Sequence, residues 1–172
     1  MHKNYTSLGL MSGTSGDGVD ASIINSNGID QFEPIKDKFY EYDSNIFKKI
    51  HSLKDKISNI NDLTKLSKEL KELERKITLF HAKIIKEFEI NENFLVGFHG
   101  QTIYHNAKEK ISKQLGNAKL LNQLTRKKII FNFRKNDMLN GGEGAPLTPL
   151  FHRLIVIKKK ISLPVCILNI GG

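Results

Sequence analysis

Two short segments near the start of the chain alternate apolar residues with small or polar ones. They read SLGLM (7–11) and VDASIIN (19–25). Alternation at every second residue is typical of half-buried strands. Between them, SGTSGDG (12–18) places seven small or polar residues in succession. The pattern therefore predicts two strands joined by an unusually polar hairpin, with a second turn at SNG (26–28).

Further along the chain, the spacing of apolar residues changes from every second residue to every third or fourth. An irregular extended segment, DQFEPIKDKFYEY, contains Pro34, which indicates an edge strand or a bend. A helical block follows from about residue 44 to residue 88, and its apolar face is formed by Leu63, Leu66, Leu70, Leu73, Ile77, Phe80, Ile84 and Phe88. This spacing gives one apolar face over about seven turns. It also resembles a heptad repeat, but the strand-like sequence on both sides favours a long helix packed on a sheet.

Short strands and helices alternate in the second half of the chain. FLVGF (94–98) predicts a buried strand that leads into a tight HGQT turn, and a short helix is expected after Gly116. IIFNF (129–133) predicts another strand, followed by a Gly/Pro-rich loop and a helix, and PVCILNIGG (164–172) a last strand entering a glycine turn. Strands separated by helices indicate the α/β class. We expect one mixed sheet that opens with a β-hairpin and has helices packed on it.

Length and composition limit the class of protein. A chain of 172 residues suits one domain or one and a half. Its single cysteine, Cys166, excludes a disulfide framework and fits a reducing compartment. The sequence has neither a signal-peptide stretch nor an apolar run long enough for a membrane span. We therefore expect a cytoplasmic protein without a membrane partner.

The net charge of +9, from 27 Lys and Arg against 18 Asp and Glu, raises the possibility of nucleic-acid binding. The distribution of the charges argues against it. Lysines alternate with glutamates in KLSKELKELERK, and the basic runs 126–128 and 158–160 have no interleaved aromatic residues for base stacking. We expect a solvated basic surface and no nucleic-acid partner.

The polar hairpin lacks the known phosphate and nucleophile motifs. It has no G-x-x-x-x-G-K-[ST], a strand rather than a helix follows it, and G-x-S-x-G is absent. Successive backbone amides in such a turn can still form an anion nest, to which Thr14 and Ser15 add hydroxyl donors. Asp17 is a candidate Mg²⁺ ligand against phosphate oxygens. A long flexible hairpin without a ligand remains the alternative.

Three further polar clusters follow predicted strands. His99 and Gln101 come after the strand FLVGF, and Arg134 and Asp137 come after the strand IIFNF. The third cluster, GGEGAPLTP (141–149), forms a rigid loop. Sheets of this class carry ligands at the carboxyl ends of their strands, so we expect these clusters to converge on one site. A lone histidine is more often structural, and that alternative stays open for His99.

Four motifs, in this order, resemble those of the anhydro-N-acetylmuramic acid kinases: GLMSGTSGDGVDA, GFHGQTIYH, NFRKNDMLNGGEGAPLTPLFH and LNIGG. That family belongs to the superfamily of actin-like ATPases and sugar kinases, whose two related domains close over ATP. Its members open the 1,6-anhydro ring of a cell-wall recycling product and phosphorylate the sugar at O6. The resemblance implies an actin-like (ribonuclease H-like) domain, ATP and Mg²⁺ as cofactors, and the amino sugar as substrate.

The resemblance also implies two sets of binding residues. Those expected at the ATP phosphates are Gly13, Thr14, Ser15, Gly16, Asp17, Gly18, Val19 and Asp20. Those expected around the amino sugar are His99, Gly100, Gln101, Thr102, Arg134, Asp137, Gly142, Gly144, Ala145 and Pro146.

The chain departs from the family pattern at three points. Asn117 and Asn132 stand where Asp is usual, and each exchange removes a charge but keeps a hydrogen-bonding shape. Family members are also about twice as long, and the resemblance places their catalytic base in a D-T-G-P-G-N segment beyond Gly172. The base is therefore unassigned here, and Asp137 and Glu143 are the candidates within the chain.

The length of the chain leads to an expectation about its organisation. We expect residues 1–172 to be the N-terminal domain, inactive alone, with a second domain missing after Gly172. The alternatives are a non-catalytic remnant or binding module, and a site completed by a homodimer or a second polypeptide.

Overall fold

The computed structural model describes residues 3–88 and 94–168, which contain six strands and six helices. The strands are β1 (Tyr5–Ser12), β2 (Gly18–Ser26), β3 (Phe32–Glu41), β4 (Leu95–Asn106), β5 (Ile111–Leu115) and β6 (Lys128–Phe131). The helices are α1 (Ser44–Lys54), α2 (Ile60–Lys65), α3 (Ser67–Glu87), α4 (Ala118–Thr125), α5 (Phe133–Leu139) and α6 (Pro149–Lys158).

The six strands form one mixed sheet in the order β3-β2-β1-β4-β5, with β6 also paired to β4. β1, β2 and β3 are an antiparallel meander, whereas β4 runs parallel to β1 and to β6. The α/β prediction is confirmed, and this topology is consistent with an actin-like, ribonuclease H-like ATPase fold. The predicted edge is confirmed as well, since β3 lies at the end of the sheet. Pro34 sits at a register shift opposite Ile24, where its missing N–H is tolerated.

The core lies between the sheet and helices α1, α3 and α4. Leu8, Val19 and Val96 contribute to it from three strands, and Leu73 and Ile77 from α3, all with at most 1% of their surface exposed. The apolar faces of the strands and of the helices thus pack against each other, as the sequence predicts. Within the two described ranges, no helix combines the length and apolarity needed to cross a bilayer.

The predicted helical block is interrupted, so a single continuous helix to residue 88 is wrong. α1 ends at Lys54, and a capping box at Asn59 and Asp62 begins the short helix α2. Side-chain bonds to nearby backbone amides compete with continuation of a helix. A second break at Leu66 precedes α3, which carries the apolar face over 67–87. The coiled-coil alternative is not supported, because this face packs on the core of the same chain.

Three other expectations need correction. His99–Thr102 do not form a tight turn, because β4 continues through them to Asn106 and residues 101–106 pair with β5. Gly100 takes φ +74° at this point, and a register shift against β1 absorbs the extra residue. Helix α5 and strand β5 stand where the sequence pattern predicted only loop or helix flank.

The predicted strand at 164–172 is the third correction. Residues 164–168 are exposed and form no strand, because no described strand supplies the backbone partners that a strand needs. The remainder of that prediction, the last four residues of the LNIGG motif from residue 169 to Gly172, lies outside the described residues. The expectation that the family's catalytic base and second domain lie beyond Gly172 concerns sequence that this chain does not contain, so it stays a prediction.

Candidate functional site

The turn between β1 and β2 is compact and depends on glycine. The Gly16 amide donates to the Gly13 carbonyl at 3.2 Å, and Gly16 has φ +66°. A Cβ on Gly16 would lie 2.9 Å from Ile50 Cγ2, and one on Gly18 would overlap the Tyr40 carbonyl oxygen. Only glycine meets both demands. The flexible-hairpin alternative is therefore disfavoured, since the turn is closed by a backbone bond and packed on α1 and β3.

A buried network of hydrogen-bonded side chains holds the end of β1. Ser12 Oγ lies 3.0 Å from the Tyr42 hydroxyl and 3.4 Å from His81 Nε2. His81 Nδ1 donates to the Ile77 carbonyl at 2.8 Å, so Nε2 is the ring acceptor and Ser12 donates to it. Burial lowers the pKa of His81 to about 4 and raises the pKa of Tyr42. These three hydrogen-bonded side chains are therefore uncharged at physiological pH. They hold Ser12, the last residue of β1 before the turn, in place.

Two side chains outside the hairpin bind its carbonyl oxygens. Gln101 Nε2, from β4, donates to the Gly13 carbonyl at 2.8 Å. Lys54 Nζ, from the end of α1, donates to the Thr14 carbonyl at 2.5 Å. Gln101 is fully buried, and its Nε2 is committed to this contact, whereas its Oε1 has no hydrogen-bond partner among the described residues. Lys54 carries a cation to the turn that sequence reasoning missed, because 40 residues separate it from Thr14.

The turn and the start of β2 also carry exposed carboxylate and hydroxyl groups. Thr14, Ser15, Asp17 and Asp20 are exposed, and Ser15 Oγ donates to Asp17 Oδ1 at 2.6 Å. Val19, by contrast, is fully buried in the core. In the described residues no cluster of three or more His, Cys, Asp or Glu could hold a metal. The exposed carboxylate of Asp17 still fits Mg²⁺, because proteins hold this ion through one or two carboxylates together with substrate phosphates.

The second cluster joins β4, α5 and the loop after α5. Arg134 Nε donates to His99 Nε2 at 3.0 Å, and Arg134 Nη1 donates to the Gly144 carbonyl at 2.8 Å. His99 Nδ1 donates to the Gly100 carbonyl at 2.7 Å, so its Nε2 is the acceptor that Arg134 requires. Burial lowers the pKa of His99, and the Arg134 charge lowers it further. His99 is thus a neutral acceptor that orients the guanidinium.

Asp137 holds the glycine loop rather than standing free. Its backbone carbonyl accepts from the Gly142 amide at 2.9 Å, and its Oδ2 accepts from the Gly144 amide at 2.7 Å. Gly141 and Gly144 have φ of +92° and +75°. These contacts favour a positioning role for Asp137, whose carboxylate is already an acceptor. Glu143, at the exposed tip of the same loop, forms no described hydrogen bond.

A cleft of about 220 Å³ lies between β4, β5 and the start of α5. His99 and Arg134, both predicted for the sugar, line it together with Asn132 and Gly116. The other predicted sugar residues are not part of its lining; they are Gly100, Gln101, Thr102, Asp137, Gly142, Gly144, Ala145 and Pro146. Thr102 instead accepts a bond from Gln114 at 3.3 Å, and Ala145 and Pro146 are exposed beyond Gly144.

Sequence reasoning missed an ion pair in the cleft wall. Glu74 Oε1 lies 3.5 Å from Lys113 Nζ and accepts from the Gly116 amide at 3.3 Å. Glu74 belongs to the alternating charges of α3 and Lys113 to an unpredicted strand. No local signal distinguishes either residue from its solvated neighbours.

Both asparagines that depart from the family pattern have structural roles. Asn117 is the N-cap of α4, where its Oδ1 accepts from the Leu120 amide at 2.9 Å. Asn and Asp are about equally good at this position. Asn132 has φ +66° immediately before α5, and Asn is among the few residues that adopt this left-handed conformation readily.

Strand β4 connects the two clusters. Gln101 bonds to the hairpin, and His99, two residues earlier, bonds to Arg134. The hairpin follows the carboxyl end of β1, and Arg134 follows that of β6, both parallel to β4. The predicted convergence at one edge of the sheet therefore brings His99 and Arg134 together, with the hairpin beside them.

This mixed sheet and its glycine hairpin are consistent with the fold class of the actin-like, ribonuclease H-like ATPases. The family model for anhydro-N-acetylmuramic acid kinase matches residues 5–172. The chain therefore belongs to the anhydro-N-acetylmuramic acid kinase family, as its motifs predicted.

Curated relatives agree with this assignment. The anhydro-N-acetylmuramic acid kinase of Pelagibacter ubique is 59% identical over 175 residues, which cover 100% of this chain and 47% of the relative. Kinases of the same name from Rhizobium etli and Agrobacterium fabrum are 33% and 32% identical, each covering 97% of this chain and 47% of the relative. The chain thus spans about half the length of the curated relatives it matches.

Proposed function

We propose that this chain is the nucleotide-phosphate and sugar-positioning part of an ATP-dependent kinase in the cytoplasm. The reaction would open the 1,6-anhydro ring of anhydro-N-acetylmuramic acid and phosphorylate O6. Family membership supports the proposal. The observation that carries it is the placement of a glycine hairpin and the His99–Arg134 cleft side by side, joined through β4.

In this proposal the hairpin from Gly13 to Asp20 binds the ATP phosphates through backbone amides and hydroxyls. Asp17 would hold Mg²⁺, and the ion would supply positive charge against the phosphate oxygens. Asp17 is exposed, and Ser15 orients its carboxylate through the 2.6 Å bond. An exposed carboxylate beside hydroxyl donors is a donor set of the required chemistry.

Arg134 positions the sugar, most simply by pairing with its lactyl carboxylate. The Arg134 guanidinium uses Nε on His99 and Nη1 on Gly144, so its orientation is set before a ligand arrives. Charge-assisted bonds of this kind are about twice as strong as neutral ones. A neutral His99 stabilises this arrangement because a protonated ring would have no lone pair for Arg134.

Activation of water at the anomeric carbon needs a general base. Asp137 is already bonded to the Gly144 amide, and Glu143 lies at an exposed loop tip. We propose that the base lies beyond Gly172, in the D-T-G-P-G-N segment of the family's length that this chain does not span. The chain alone is then expected to bind without turnover.

The test uses a chimera in which residues 1–172 precede the remaining half of the Pelagibacter ubique relative. With Mg-ATP and the anhydro sugar, the chimera is expected to form the 6-phosphate, detected by mass, and the chain alone to form none. The intact relative is the positive control. A folded chimera that binds both ligands without product would support the binding-module alternative. Product from the chain alone would show that a base within residues 1–172 had been overlooked.

A further inference from the structure

We infer that Lys54 and Gln101 are positioning residues that direct the amides of the hairpin turn toward the nucleotide phosphates. The inference rests on the proposed function, since it explains how the turn becomes an anion site. Neither side chain needs to touch the ligand. Both act through the carbonyl oxygens of the turn, Gly13 for Gln101 and Thr14 for Lys54.

The geometry follows from the planarity of the peptide bond. In a trans peptide the carbonyl and the following N–H point in opposite directions. Among the described residues, the cis peptides are those before Pro146 and Pro164, so the turn is trans. Because the carbonyls of Gly13 and Thr14 face Gln101 and Lys54, the amide that follows each points the other way. Thr14 and Ser15 are both exposed, so an anion can reach this part of the turn.

The two contacts also remove an electrostatic obstacle. A carbonyl oxygen that faced the open side would repel phosphate, whereas an amide attracts it. A rotated peptide would present the carbonyl, and the bonds to Lys54 and Gln101 disfavour that rotation. Lys54 adds a positive charge directly behind the turn, which favours an anion in front of it.

Lys54 is the better residue to vary. It is half-buried at the end of α1, so its side chain can change without opening the core. Gln101 is fully buried and also donates to the Thr102 carbonyl at 3.3 Å, so its replacement would disturb β4 itself. Lys48, exposed on the same helix, offers a matched control that removes the same charge.

The experiment uses the full ¹⁵N-labelled chain and inorganic tripolyphosphate with Mg²⁺ as the probe. Two quantities are measured by NMR: the direction of the Ser15 N–H from residual dipolar couplings without ligand, and the affinity from shifts of the turn amides. Lys54→Met is expected to change the N–H direction and weaken binding about tenfold. Lys54→Arg restores both, and Lys48→Met changes neither. Lys54→Gln is a second neutral variant, and thermal unfolding checks the fold of each.

Each outcome has a distinct meaning. Binding by the parent, with unchanged N–H direction and affinity in Lys54→Met and Lys54→Gln, overturns the positioning role and leaves the proposed function standing. Weaker binding in both Lys54→Met and Lys48→Met, with no change in N–H direction, overturns it in favour of a general charge effect. Absence of any shift in the parent's turn amides overturns the phosphate assignment, and the positioning role falls with it.

Discussion

The hairpin region and the Arg134 region both use glycine loops, but the protein holds them in different ways. At the hairpin, the anchoring side chains of Ser12, His81 and Gln101 are fully buried. At the Arg134 loop, the anchors are Asp137, an exposed residue on a helix of seven residues, and the half-buried Arg134, which donates to the Gly144 carbonyl. Core packing thus fixes the first loop, and polar contacts near the surface fix the second.

This difference indicates how ligand binding is divided between the two regions. A loop fixed by the core is preorganised and loses little entropy on binding. A loop fixed by a few exposed bonds adjusts more easily and depends more on what packs beside it. We therefore expect the hairpin region to be preorganised for phosphate in this chain. We expect the Arg134 region to become more ordered when the sugar binds.

The largest expected effect contrasts two glycines that cannot accept a Cβ. In Gly18→Ala the new carbon would overlap the Tyr40 carbonyl oxygen and lie 2.5 Å from Phe39 Cζ, and a strand backbone cannot move aside. In Gly142→Ala it would overlap the carboxylate of Asp137, the end of an exposed side chain that can rotate. We expect a loss of about 3 kcal/mol or more in unfolding free energy for Gly18→Ala and less than about 1 for Gly142→Ala.

Urea denaturation of the two variants and the parent measures this contrast. Equal losses would mean that the two loops are held equally firmly. A loss confined to Gly142→Ala would reverse the comparison.

The pH dependence of stability reports on the hairpin anchor. In the folded chain burial lowers the pKa of His81 from 6.5 to about 4. The unfolded chain therefore takes up a proton near pH 6.5, whereas the folded chain does so only near pH 4. Stability from neutral His81 is fully present above pH 6.5, is lost as the pH falls toward 4, and then levels off. The loss is about 3 kcal/mol.

Denaturation of the parent and of His81→Gln at several pH values isolates this contribution, because His99 and the carboxylates contribute to both proteins. The difference between the two curves should shrink between pH 6.5 and 4. If the difference in stability between the two proteins did not vary with pH, His81 would not belong to the buried hydrogen-bonded network of Ser12 and Tyr42.

A smaller effect is expected at the second region. Arg134→Lys removes the planar fork that bonds His99 and Gly144 together, and lysine does not replace it. Sugar affinity of the chimera should fall by about 1–3 kcal/mol, measured by calorimetry. Arg153→Lys, on exposed α6, is the matched control. Affinity within error of the parent would leave Arg134 a structural residue.

Much of the fold could be predicted from local pattern. The β1–β2 hairpin, the edge position of Pro34 and the apolar face of α3 all follow from periodicity and turn chemistry. The continuation of β4 through His99 could not be predicted, because it depends on pairing with β5 and on the bulge at Gly100. The break at Leu66 was hidden for a related reason, since the apolar spacing continues across it.

The candidate site residues come from motifs, and the structure adds which of them lie together and what each one contacts. Motifs selected His99 and Arg134, and the cleft brings them together. Motifs also assigned Gln101 to the sugar, whereas the structure buries it against the hairpin. Lys54 carries no motif at all, since its partner is a backbone carbonyl. Contacts between a side chain and a distant backbone atom leave no signal in a single sequence.

The most direct measurement of the central claim, that the hairpin binds nucleotide phosphates, is the Mg-ATP affinity of Gly13→Val in the chimera. A Cβ at Gly13 would meet only the exposed Ser15 hydroxyl, at 3.4 Å, so the fold should survive while the side chain obstructs the turn. Gly9→Val, at an exposed position of the preceding strand β1, is the control. We predict affinity at least about tenfold weaker for Gly13→Val, a loss of about 1.4 kcal/mol, and unchanged for Gly9→Val. Parental Mg-ATP affinity in a folded Gly13→Val chimera would contradict the account.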